Sequence, residues 1–118
     1  MPFKRILDQL VDGVDGALAA VFIHDDGETV ETVGTLSDYD LKVIGAYQGI
    51  FLTRVKALCK ALDHGEPQRL KIEWNGSKIL NCPIDEEYSV VLVVTPESNE
   101  GLAWRALLRG RDRIRQEM

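Results

Sequence analysis

Arginine is the side chain in this sequence best suited to phosphate chemistry, because a guanidinium can neutralise charge that develops on a transferring phosphoryl group. Arg105, Arg109, Arg111, Arg113 and Arg115 crowd residues 101–118, while Arg54 is the only arginine in the long stretch from Asp38 to His64. Arg105, Arg109 and Arg113 recur every fourth residue and so share one face of a helix. That group reads either as a solvated helix face whose cations complement the helix C-terminus or as a docking surface for an acidic partner or membrane.

Other candidates fail on spacing. Gly13-x-x-Gly16 follows a helical pattern, whereas a dinucleotide fingerprint follows a strand and opens a helix. No Walker lysine follows a glycine loop. Asp12, Asp15, Asp25 and Asp26 invite a calcium reading, but an EF-hand loop begun at Asp12 puts Ile23 at the bidentate glutamate position. Those acids read as turn and cap residues. His24 and His64 lie far apart with no CxxC or HExxH companion, and Cys59 reads as packing on a helix. No Ser-His-Asp or Cys-His arrangement is present, so the expectation is a protein without its own catalytic, metal or cofactor site.

Length and charge set the outer limits. At 118 residues the chain reads as one domain, 1–118, with a basic C-terminal helix over 99–118. Its 45% hydrophobic and 28% charged residues are those of a globular protein. The net charge of −5 argues against general nucleic-acid affinity. The charge is uneven, since residues 101–118 carry +3 and the first hundred therefore −8. No run of 18 apolar residues exists to span a membrane. The first residues lack the apolar core of a signal peptide, so the expected location is cytoplasmic. Cys59 and Cys82 read as reduced thiols.

The elements follow in order. Pro2 suits a first helical position, and Phe3 to Val14 repeat at helical spacing. Leu18 to Ile23 is a short apolar run, read as a strand buried on both faces. Asp25-Asp26-Gly27 turns it back into the alternating Thr29 to Val33. A helix capped by Ser37 or Asp38 then runs to His64, with Gly65 as its stop. Arg69 to Trp74 alternates, Asn75-Gly76 marks a hairpin, and Lys78 to Cys82 returns before Pro83. Ser89 to Thr95 reads as a central strand, and Ser98 or Asn99 caps the last helix. The order helix, two strands, long helix, three strands, helix predicts an α+β fold with a five-stranded, mostly antiparallel sheet and helices on both faces.

The long helix carries more apolar surface than one sheet covers. Ile44, Tyr47, Phe51, Val55, Leu58 and Leu62 form a stripe expected to pack on the sheet. Beside it run Val43, Ile50, Ala57 and Ala61, with Arg54 among them, while Leu41, Leu52 and Cys59 widen it on the other side, and the apolar arc spans roughly 220°. A second partner, another copy of the chain or a loop of its own, is needed for the second lane. Ala46, Ala57 and Ala61 would allow a close helix approach. The opposite lane, Lys42, Gly45, Gly49, Thr53, Lys56 and Lys60, is expected to be exposed, with its glycines leaving a shallow groove.

The opening Val11-Asp12-Gly13-Val14-Asp15-Gly16-Ala17-Leu18, the apolar strand and Asp26-Gly27, followed by this element order, resemble the Roadblock/LC7 family over essentially the whole chain. The resemblance implies a profilin-like or longin-like α/β/α sandwich that dimerises by antiparallel packing of its long helices and pairing of its third strands. The expected homodimer interface is then Val43, Ala46, Ile50, Arg54, Ala57 and Ala61 with Leu70 and Ile72, Arg54 forming an ion pair across it. The bacterial and archaeal members regulate small Ras-like GTPases, and eukaryotic relatives include light chains and scaffolds. The resemblance supplies no arginine finger, since activation of this type reshapes the GTPase. The function implied is a homodimer that binds a small Ras-like GTPase through the glycine–lysine lane and adjusts its nucleotide cycle. The alternative is a dimeric adaptor that leaves nucleotide turnover unchanged.

Overall fold

The computed structural model describes residues 2–118. The elements are α1 (Pro2–Asp12), β1 (Ala17–His24), β2 (Thr29–Gly34), α2 (Asp38–Leu62), β3 (Leu70–Glu73), β4 (Lys78–Pro83), β5 (Tyr88–Val94) and α3 (Glu100–Glu117). The five strands form one sheet in the order β2-β1-β5-β4-β3, with every pairing antiparallel. The sheet and its helices therefore have the expected architecture and order. The central strands β1 and β5 are buried on both faces, as their unbroken apolar runs require.

Helices α1 and α3 cover one face. Ile6, Leu7 and Leu10 of α1 and Ala103, Leu107 and Ile114 of α3 pack on Phe22, Leu80, Val90 and Leu92 in the larger core cluster. The first glycine loop has a steric cause. Gly16 holds φ +85°, and a Cβ there would lie 2.6 Å from Thr95 Oγ1. Asn99 is the α3 cap, accepting the Leu102 N–H at 3.0 Å. The helix start is tied to the sheet by Lys78, which is buried and donates to the Ser98 carbonyl at 3.0 Å. Lys71 bonds Glu100 at 3.2 Å beside it.

Helix α2 lies on the other face, over β1 and β2. Ser37 caps it, accepting the Asp40 N–H at 3.1 Å. Its stop is Asp63, left-handed at φ 54°, and not Gly65; Asp tolerates that conformation better than most residues with a Cβ. The larger correction concerns the helix's orientation. Leu41, Gly45, Gln48, Gly49 and Leu52 are its buried residues. Of the Ile44–Leu62 stripe, Ile44 packs against the sheet core, and most of the rest does not lie under the helix. Tyr47, Leu58 and Leu62 are 56%, 57% and 53% exposed, Phe51 is also exposed, and Ile44 and Val55 are half-buried.

Close approach explains this orientation. A Cβ on Gly49 would come within 2.7 Å of the Gly27 nitrogen, and one on Gly45 within 2.9 Å of Thr29 Cγ2. The two glycines let the α2 backbone sit against the β1–β2 hairpin, which larger side chains would hold away. Gly45 and Gly49 are therefore covered by the sheet and cannot form the exposed groove expected of them. Lys56 is not free either, since its Nζ lies 2.6 Å from Asp25 Oδ2 and donates to the Glu86 carbonyl at 3.0 Å. Of that lane, Lys42, Thr53 and Lys60 remain exposed. Thr53 Oγ1 also reaches the Asp25 carbonyl, at 3.4 Å.

Candidate partner-binding surface

The two flanks of α2 have different neighbours. Gly45, Gly49, Thr53 and Lys56 face the β1–β2 hairpin, through the contacts with Thr29, Gly27 and Asp25. Gln48 faces the other way. Its Oε1 accepts from Asn81 Nδ2 on β4 at 3.1 Å, and both side chains are buried. Ile44, Phe51 and Val55 lie four, three and seven residues from Gln48 and so belong to the flank that faces β4 and β3. Tyr47, Leu58 and Leu62 continue that flank outward. The Tyr47 and Phe51 rings meet tilted, with centroids 6.0 Å apart.

Strand β3 completes this surface. It pairs only with β4 and leaves its other edge open. Leu70 lies opposite Asn81 and Ile72 opposite Ile79, so both point to the α2 side of the sheet, where they are half-buried. Trp74, two residues on, is 49% exposed. The exposed flank of α2 and the open strand thus border the same half of one sheet face. The lane Val43, Ala46, Ile50, Arg54, Ala57 and Ala61 runs along the outward side of α2; all but the half-buried Val43 are exposed. No loop of the chain covers it among the described residues.

Several ionisable groups elsewhere serve structure. His24 stands 3.2 Å from Asp26 Oδ1 and 3.7 Å from Glu87 Oε2, joining two turns at the end of the sheet. The Glu28 N–H holds the Asp26 carboxyl below its usual range. Burial pushes the Cys82 thiol up despite Arg111, whose NH1 approaches its sulfur at 3.7 Å, so Cys82 is a poor nucleophile. Among the described residues no three His, Cys, Asp or Glu side chains are grouped to hold a metal. An open cavity of about 300 Å³ lies between Lys56, Pro67, Ile84, Arg111 and Arg115. Its cations are matched by Glu66, Asp85 and Glu86, which leaves it no preference for either sign of ligand.

No family profile matches the sequence, and no curated protein does. Solved structures match closely in shape. A Roadblock/LC7 domain from Streptomyces avermitilis superposes with TM-score 0.90 at 13% identity, over 97% of this chain and 95% of that one. Myxococcus xanthus MglB superposes with TM-score 0.88 at 12% identity, over 97% and 92%. The chain has the Roadblock/LC7 fold. Myxococcus xanthus MglC matches at TM-score 0.72 and 22% identity over the full length of both chains. At these identities the Roadblock/LC7 likeness is one of fold.

Sequence reasoning misplaces the residues around α2. Tyr47, Phe51, Leu58 and Leu62 were assigned to the sheet and instead face outward. Gln48–Asn81 and Lys56–Asp25, the polar contacts that orient α2, went unread. One signal was available. Two glycines four residues apart in a long helix cost stability unless a backbone approaches them.

Proposed function

We propose that this chain is a homodimeric regulatory protein that binds a small Ras-like GTPase and modulates its nucleotide cycle. The observation that carries the dimer is the exposed apolar flank of α2 beside the open edge of β3. Magnitudes favour that flank as the centre of the interface. Full burial of a Leu, Phe or similar side chain stabilises by about 1.5–3 kcal/mol, whereas association costs at least about 4 kcal/mol in lost freedom. The alanines of the outward lane supply little of this, and Tyr47, Phe51, Leu58 and Leu62 supply most. The sister helix then packs against the Ile44–Leu62 flank over β3, with Leu70 and Ile72 beneath it and Val43, Ile50 and Arg54 at the rim.

The GTPase part of the reading is supported by the likeness to MglB and MglC and by the family resemblance of the sequence. Its contact is assigned to the outward side of the paired helices, Ala46, Ile50, Arg54 and Ala57, with Lys42, Thr53 and Lys60 along the edge. A multiple-turnover GTP hydrolysis assay tests it, using the Ras-like GTPase captured from native cells. The expected result is a changed turnover rate with the wild-type dimer, weakened by charge reversal at Lys42 and Lys60. Binding with unchanged turnover assigns the adaptor role instead. Absence of binding removes the GTPase reading.

A further inference from the structure

The face opposite α2 carries a second, chemically different surface. Helices α1 and α3 lie side by side there, and a groove runs between them. Its floor is Ile6, Leu10, Ala106 and Gly110, and a Cβ added to Gly110 would stand in ordinary contact with Leu10 Cδ2 at 3.5 Å. Arg109 and Arg113 stand along it, and Arg5 joins Arg113 at the end formed by Pro2, Gln116 and Glu117. Arg105 lies one turn before Arg109 on the same exposed side. Glu117 is the one carboxylate lining the groove among the described residues.

These arginines are not used internally. Arg5, Arg105, Arg109 and Arg113 form no ion pair among the described residues, and the bond from Arg113 goes to the neutral Gln9. Arg111 and Arg115, by contrast, pair with Asp112 and turn towards Cys82 and the Ile84 carbonyl. The chain as a whole is acidic, so four unpaired guanidinium groups beside one carboxylate are a local reversal of its charge.

We propose that the α1–α3 groove docks an acidic peptide segment of a partner protein, with glutamate or aspartate on the arginines and apolar side chains on the Ile6–Leu10 floor. Guanidinium forks suit carboxylates. The apolar floor between two helices fits a chain better than a flat bilayer. The −8 carried by residues 1–100 would be repelled by an extended anionic surface, whether membrane or nucleic acid, but little by a single segment. The groove and α2 lie on opposite faces of the sheet, so both can be occupied at once.

A fluorescein-labelled peptide of glutamates interspersed with leucines, followed by fluorescence anisotropy against the full chain, tests this. Binding should weaken as salt is raised from about 50 to about 300 mM. It should fall about tenfold or more in Arg109→Glu/Arg113→Glu and by less in Arg109→Lys/Arg113→Lys, which keeps the charge but loses the fork, circular dichroism confirming that both variants fold. No binding, or equal affinity in the charge-reversed variant, overturns the proposal. So does co-sedimentation with phosphatidylserine vesicles without peptide binding, which assigns a membrane. A fall in light-scattering mass on charge reversal, again without peptide binding, overturns it in favour of another copy of the chain.

Discussion

Gly49 is where one side chain's absence decides the geometry of the molecule. The α2 backbone passes so close to the β1–β2 turn that an added methyl would sit 2.7 Å from the Gly27 nitrogen and 2.8 Å from its Cα, both backbone atoms. No rotamer can relieve that contact, so either α2 or the hairpin must move. Gly49→Ala gains helix propensity of about 1 kcal/mol but incurs overpacking of about 1–3 kcal/mol, for a net destabilisation. Urea unfolding should show a lower midpoint with an unchanged slope, and a variant as stable as wild type would refute the close approach. The same residues explain what was hidden in the sequence. A glycine contributes nothing to an apolar pattern and Gln48 counts against one, yet Gly45, Gln48 and Gly49 all face the protein. Apolar periodicity therefore centres the arc too far round the helix, with the buried Leu41 and Leu52 only at its edge.

At the scale of elements, the strands were legible because each has one dominant environment. The unbroken run Ser89-Val90-Val91-Leu92-Val93-Val94 matches a central strand, and the alternation of Leu70, Lys71, Ile72 and Glu73 matches an edge strand with one charged face. Helix α2 has two environments, and most of its larger apolar side chains, Tyr47, Phe51, Leu58 and Leu62 among them, belong to the outward one. The junction of β3 with α3 carries a pH prediction. The hydrogen bond from Lys71 holds the Glu100 carboxyl below its ordinary value of 4.5. A depressed carboxylate contributes stability above its unfolded value and loses that contribution as pH falls through its folded value. Lys71, raised above 10.5 chiefly by its bond to Glu100, contributes below that value and loses the contribution as pH rises. Glu100→Gln should therefore show a smaller loss of stability than wild type between neutral pH and pH below 4.5, measured by urea midpoints. Parallel pH profiles in the two proteins would show that the pair contributes nothing.

The whole molecule has two unlike faces on one sheet, an apolar one at α2 and β3 and a basic one at α1 and α3. A large apolar flank left in water marks a candidate contact surface. It is exposed in the single chain, so altering it should leave the fold intact and change only association. Tyr47→Lys/Leu58→Lys should keep unfolding stability of the separated chain within about 0.5 kcal/mol and raise the dimer dissociation constant about a hundredfold or more, because each lysine would be buried without a partner. Light scattering of the purified protein at micromolar concentration is the most direct test of the central claim. Twice the 13.2 kDa chain mass is expected for wild type and a single chain mass for Tyr47→Lys/Leu58→Lys. A wild-type protein that runs as a monomer, or a double variant that remains a dimer, would contradict it.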